Sequence, residues 1–186
     1  PFVKVCGITR VEDARLALDE GASLLGFIFA KGTPREVQPT EAAAIISQLR
    51  TDFPDFVAVG VFVHETQDFI AEAIEQAGLN AVQIHGDFSL LRLVEMTVPA
   101  IQAFRVKDQH VIDNARKTVQ QRSVLLDTYS KGQHGGTGKT FQHELASPLL
   151  RDFPAPDENS GHPVFIAGGL GPETIQGVLD SMKVMG

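Results

Sequence analysis

Phe2-Val-Lys-Val-Cys-Gly-Ile-Thr-Arg10 is the stretch that decides the architecture. Phe2–Cys6 reads as a short strand, and Gly7 to Arg10 as the turn that leads into a helix. A strand feeding a helix in this way has two common settings, a closed (β/α) barrel or an open doubly wound sheet. The open sheet usually declares itself by a G-x-G-x-x-G turn after its first strand. Cys6-Gly7-Ile8-Thr9-Arg10 lacks that spacing, which favours the barrel.

Working outward, the same unit recurs. Further strands are expected at Leu24–Phe29, Phe56–Val63, Ala81–His85, Ala100–Val106, Ser123–Asp127 and Pro163–Ala167. Most are continuous apolar runs, as strands buried on both faces should be. Helices are expected between them. Thr9 is read as the cap of a helix through Ala14, Leu16 and Leu18, with Gly21 just past its end. Thr40 is read as the cap of Glu41–Leu49, with Ala44, Ile45 and Leu49 on one face. Thr66 precedes Phe69, Ile70, Ala73, Ile74 and Ala77, with Gly78 as the stop, and Pro172 opens a helix through Ile175, Val178 and Leu179. The expectation is one domain over residues 1–186, a (β/α)8 TIM barrel of which about seven β/α units are present. The stretch Arg151–His162, rich in proline and polar residues, is expected to be a loop before the seventh strand.

Composition narrows the classes. With 43% hydrophobic and 21% charged residues, the 186-residue chain is ordinary for a globular domain. A net charge of −7 argues against nucleic-acid binding, which needs a basic face. No apolar run reaches the ~18–20 residues that would span a bilayer. Cys6 is the single cysteine, so neither a disulfide framework nor a thiolate metal cluster is expected. A cytoplasmic setting, with no nucleic-acid or membrane partner, fits these features.

Barrel active sites lie on the loops at the carboxyl ends of the strands. Those positions here carry Cys6-Gly7, Arg35, His64, His85, Arg105, Asp127 and Gly168-Gly169. A lone strand cysteine is commonly a small core residue. Beside glycine and a helix start, Cys6 reads equally well as a base or nucleophile. Asp127 is either a turn residue or a carboxyl group placed to hold a proton. Arg35, in Gly32-Thr-Pro-Arg35, is a solvated arginine or a clamp on a carboxylate or phosphate. His64 and His85 read first as hydrogen-bonded structural residues. No carboxylate or histidine cluster has metal-ligand spacing, so no metal is expected.

Gly132-Gln-His-Gly-Gly-Thr-Gly-Lys-Thr140 ends like a P-loop, but the first glycine of that motif would have to fall on Gln133. The motif fails on spacing. The segment can still turn amide N–H groups toward a phosphate, and Ala167-Gly168-Gly169-Leu170-Gly171 offers a second amide cluster before Pro172. Two such clusters on late strands point to a small phosphorylated ligand.

With these landmarks placed, the sequence resembles the phosphoribosylanthranilate isomerases of tryptophan biosynthesis. The likeness rests on Val3-Lys-Val-Cys-Gly-Ile-Thr9, Gly26-Phe-Ile-Phe29 with Thr33-Pro-Arg35, Val59-Gly-Val-Phe-Val63, Val82-Gln-Ile-His-Gly86, Leu126-Asp127, Gly135-Gly-Thr-Gly138 and Ala167-Gly-Gly-Leu170, in that order. The resemblance implies a (β/α)8 barrel that performs an Amadori rearrangement without a cofactor. By motif, Asp127 is the general acid and Cys6 the general base. Arg35 and His85 join the substrate-binding set, and Gly136, Thr137, Gly138, Gly168 and Gly169 lie on the phosphate side. The sister isomerase of the histidine pathway uses an aspartate where this chain has Cys6. Two departures stand out: the eighth β/α unit is missing, and Thr33 stands where the family often has serine. The lack of a Met at position 1 is also in keeping with a domain cut from a multifunctional chain, fused to other enzymes of the pathway.

Overall fold

The computed structural model describes residues 2–86, 97–128, 147–152, 162–177 and 179. The elements among them, in chain order, are β1 (Lys4–Cys6), α1 (Val11–Asp19), β2 (Leu24–Ile28), α2 (Pro39–Leu49), β3 (Val57–Val63), α3 (Gln67–Ala77), β4 (Ala81–His85), β5 (Ala100–Val106), α4 (Gln109–Val119), β6 (Ser123–Thr128), α5 (Ser147–Asp152) and β7 (Val164–Ile166). They gather into two compact units, Pro1–Ile101 and Gln102–Gly186. Gly136, Thr137 and Gly138 lie outside the described residues, as does most of the loop expected at Arg151–His162.

In the first unit, β1 to β4 pair side by side, all parallel. The register aligns Cys6 with Gly26, Gly26 with Val59, and Val59 with Ala81. Residues so aligned turn their side chains to one face, and the alternation along each strand divides the sheet in two. One face carries Leu25, Phe27, Ala58, Phe62, Val82 and Ile84, all buried against helix residues such as Ala14, Leu18, Ala42, Leu49, Ile70 and Ala73. Phe29 stacks on Phe62 with ring centroids 5.2 Å apart, and Phe62 meets Phe69 edge-on at 6.2 Å. This layer accounts for the continuous apolar strands: each helix-facing side chain removes its surface from water at about 25 cal/mol per Å². The other face holds a small cluster of Ile28, Ala30 and Val61, with Val63 against it.

The second unit repeats the arrangement on a smaller scale. β6 pairs with β7 in parallel, Val124 with Val164 and Leu126 with Ile166. Val124 and Leu126 pack on Ile112, Ala115 and Val119 of α4 and on Leu149 of α5.

The helix starts correct two expectations. Thr9 does not cap α1; Arg10 occupies that place in extended backbone, and Glu12 and Asp13 supply negative charge to the first turn. Leu16 faces solvent at 62% exposure, while Ala14 and Leu18 are buried. Thr40 lies inside α2, which begins at Pro39 because proline's fixed φ and missing N–H suit a first helical position. The Glu41 carboxylate accepts a hydrogen bond from the Gln38 N–H at 2.7 Å and closes that end. Its buried face is Ala42, Ile45, Ile46 and Leu49, and Ala44 is exposed. Thr66 does cap α3, accepting from the Phe69 N–H at 3.3 Å, and Gly78 ends it in the left-handed conformation. Pro172 sits in a turn, with helical residues following at 175–177. α4 is announced by Asp108, whose carboxylate accepts from the Val111 N–H at 3.2 Å, and by Ile112, Ala115 and Val119 at helical spacing.

Candidate active site

The register places Lys4 and Cys6 of β1, Gly26 and Ile28 of β2, Val61 and Val63 of β3, and Gln83 and His85 of β4 on the face turned away from the helices. The thiol of Cys6 is exposed, so the core-residue reading of it fails. Gly26 explains how it is held. A Cβ on Gly26 would stand 2.7 Å from Cys6 Sγ and 2.9 Å from Lys4 Nζ, so the thiol and the ammonium converge over one bare Cα. Any larger residue at 26 would push both groups aside.

Arg35 belongs to the same cluster. Its Nη1 donates to the Cys6 carbonyl oxygen at 3.3 Å. Its side chain crosses Gly7, where a Cβ would lie 2.6 Å from Arg35 Cδ. Gly7 has φ +91°, a conformation that also favours glycine. The loop carrying Arg35 is braced from both sides. The Gly32 N–H donates to Glu36 Oε2 at 2.7 Å, the Val37 N–H to the Ile28 carbonyl at 2.9 Å, and Thr33 Oγ1 to the Ala30 carbonyl at 3.2 Å. Lys4 thus sets a positive charge beside the thiol, and Arg35 sets a second on the backbone of Cys6 and Gly7, in a chain whose net charge is −7.

The ends of β3 and β4 meet through His64 and His85. His64 adopts φ +54°, and its N–H donates to the His85 carbonyl at 3.4 Å. Its ring lies over Gly86 (φ +111°), where a Cβ would stand 2.7 Å from the imidazole. His85 is hydrogen-bonded, as a structural reading expects: its Nε2 is 2.8 Å from Gln83 Nε2. An amide nitrogen only donates, so the ring nitrogen accepts and the histidine's proton sits on Nδ1.

In the second unit, Asp127 ends β6 on the side opposite Val124 and Leu126, again away from the helices. It is 9% exposed. After β7, Gly168 and Gly169 have φ +89° and +66°. Thr174 stitches the turn that follows, its Oγ1 donating to the Gly169 carbonyl at 2.7 Å and accepting from the Gly171 N–H at 3.0 Å.

Among the described residues only Gln83 and Asp127 are polar or charged and buried. Both sit on sheet faces turned from the helices. Of the two, Gln83 has an Oε1 with no hydrogen-bond partner among the described residues, and a buried polar atom in that state costs about 1–3 kcal/mol, so it asks for a reason. Sequence reading passed over Lys4, Gly26 and Gln83 as functional positions. The available signal was spacing: Lys4 with Cys6 and Gln83 with His85 are both i, i+2 pairs, which share a strand face.

Comparison with known structures then settles the class. The crystal structure of phosphoribosyl anthranilate isomerase from Thermotoga maritima matches with a TM-score of 0.81 and 32% identity, over 98% of this chain and 83% of that one. A structure of such an isomerase in complex with reduced 1-(o-carboxyphenylamino)-1-deoxyribulose 5-phosphate matches at a TM-score of 0.78 and 29% identity, over 98% and 82%. The fold is that of a (β/α)8-barrel enzyme with about seven of its β/α units present. At the level of sequence, the family described as N-(5'phosphoribosyl)anthranilate (PRA) isomerase matches over residues 3–186. Relatives of that name from Trichlorobacter lovleyi and Aquifex aeolicus are 39% and 36% identical, over 93% and 99% of this chain and 78% and 84% of theirs. The chain belongs to the N-(5'-phosphoribosyl)anthranilate isomerase family, isomerases of tryptophan biosynthesis.

Proposed function

We propose that this chain converts N-(5'-phosphoribosyl)anthranilate to 1-(2-carboxyphenylamino)-1-deoxyribulose 5-phosphate by an Amadori rearrangement, with Asp127 as general acid and Cys6 as general base. Asp127 gives its proton to the ribose ring oxygen, the C1'–O bond breaks, and a Schiff-base cation forms. Cys6 then removes the C2' proton, and the electron pair left behind neutralises the cation as an enolamine. Tautomerisation of the enolamine yields the ketone. Such a shift needs an acid at one end of the bond system and a base at the other.

The observation that carries this reading is the exposed thiol at the end of β1, held over Gly26 with Lys4 beside it and Arg35 bonded to the Cys6 carbonyl. Two cations suit a substrate that bears a carboxylate and a phosphate, and a guanidinium fork is suited to the anthranilate carboxylate. His85 contributes to substrate binding. The phosphate is assigned to the amides of Gly168 and Gly169, joined by Gly136, Thr137 and Gly138. The proposed setting is the cytoplasm, which suits a phosphorylated substrate that does not cross membranes unaided. No described helix is long and apolar enough to cross a membrane.

The direct test follows the loss of substrate fluorescence with the wild-type chain and an Asp127→Asn variant. Turnover that disappears in the variant is the expected outcome. A variant as fast as wild type would remove Asp127 from the mechanism, and a silent wild type would remove the activity from this chain.

A further inference from the structure

Gln83 stands in an apolar neighbourhood. Its register partner in β3 is Val61, which is aligned in turn with Ile28 of β2. All three side chains point away from the helices, and Ile28 and Val61 are clustered there. Gln83 itself is 4% exposed. Its amide nitrogen is engaged by His85 at 2.8 Å, while its Oε1 has no hydrogen-bond partner among the described residues. A leucine or methionine would fill this place without an unmet acceptor, so packing alone does not call for glutamine.

We infer that Gln83 is a substrate-binding residue whose buried Oε1 accepts a hydrogen bond from the central part of the substrate, a sugar hydroxyl or the bridging amine N–H. The inference rests on the function proposed above and adds a contact to it. Its chemistry excludes the two ends of the molecule. An ionised carboxylate and a phosphate offer acceptors, which would repel a carbonyl oxygen. The donors lie between them, on the atoms that rearrange. The bond to His85 completes the device: it engages the amide nitrogen and leaves Oε1, the end without a partner among the described residues, as the acceptor Gln83 offers.

The test measures binding of reduced 1-(o-carboxyphenylamino)-1-deoxyribulose 5-phosphate to the wild-type chain and to Gln83→Met, each also in a His85→Ala background. Thermal unfolding of all four proteins is recorded alongside. Gln83→Met is expected to weaken binding about tenfold, the size of one lost hydrogen bond, with a melting temperature equal to or above wild type. The same factor is expected in the His85→Ala background. Unchanged binding in Gln83→Met would overturn this inference and leave the proposed reaction intact. A loss that vanishes in the His85→Ala background would also overturn it, because Gln83 would then act only through the histidine. No binding by the wild-type chain would overturn both readings. Gln83→Leu, with the same readouts, covers the case in which methionine packs poorly.

Discussion

The two faces of the β1–β4 sheet differ in what each side chain is for. Toward the helices, Leu25, Phe27, Ala58, Phe62, Val82 and Ile84 are all apolar and buried, and their variety is a matter of volume. On the opposite face, Lys4, Cys6, Gly26, Gln83 and His85 interrupt a set of valines and isoleucines. A polar group there is compensated by another polar group or by a ligand, whereas on the helix side it would have neither. Because the period of a strand is two, one run of sequence writes both faces at once. Substitutions on the first should be felt as stability and on the second as activity.

Four changes test that division. Cys6→Ala should lower kcat by about 10²–10⁴-fold, the range expected for a lost general base, with the melting temperature unchanged; a parallel loss of stability would mean the thiol is part of the core. On the helix side, Phe62→Ala should cost about 3–5 kcal/mol of unfolding free energy, seen in denaturant titration, because it removes the stack on Phe29 and the edge contact with Phe69. Gly26→Ala sharpens the contrast. It displaces the tips of Cys6 and Lys4, presses on the Cys6 Cα at 3.1 Å, and should lower kcat/KM by about ten- to a hundredfold while the fold persists; a fully active variant would mean that the two groups need not converge. The smallest effect belongs to Thr66→Ala, which removes one helix cap on the surface. It should cost about 1 kcal/mol with kcat and KM unmoved.

The sequence made the strands readable and their register invisible. The runs of β2, β3 and β4 are the plainest, since those strands are buried along almost their whole length. Strand edges were less plain: Phe2 and Val3, 58% and 50% exposed, look like strand residues but precede β1. Thr66 and Gly78 announced α3 because a capping hydroxyl and a left-handed glycine have few other uses. Thr9 and Thr40 misled for the complementary reason: threonine is common away from caps, and Pro39 was the stronger signal for a first turn. Cys6, Arg35 and Asp127 could be singled out as reactive groups at strand ends. Lys4 and Gln83 were legible only as i, i+2 neighbours of Cys6 and His85, and Gly26 not at all, because its significance depends on which residue of the next strand stands alongside. That alignment is a tertiary fact.

The loop that carries Arg35 is tied down by its own chain, through Glu36 to Gly32, Val37 to Ile28 and Thr33 to Ala30. Fixing a residue's backbone costs about 1–2 kcal/mol of conformational entropy, and here that cost is met during folding rather than at capture. On the proposed assignment of Arg35 to the anthranilate carboxylate, the loop is already ordered by these hydrogen bonds when the ligand arrives. Encounter with such a loop should be governed by diffusion and charge, and should slow as added salt screens the two cations.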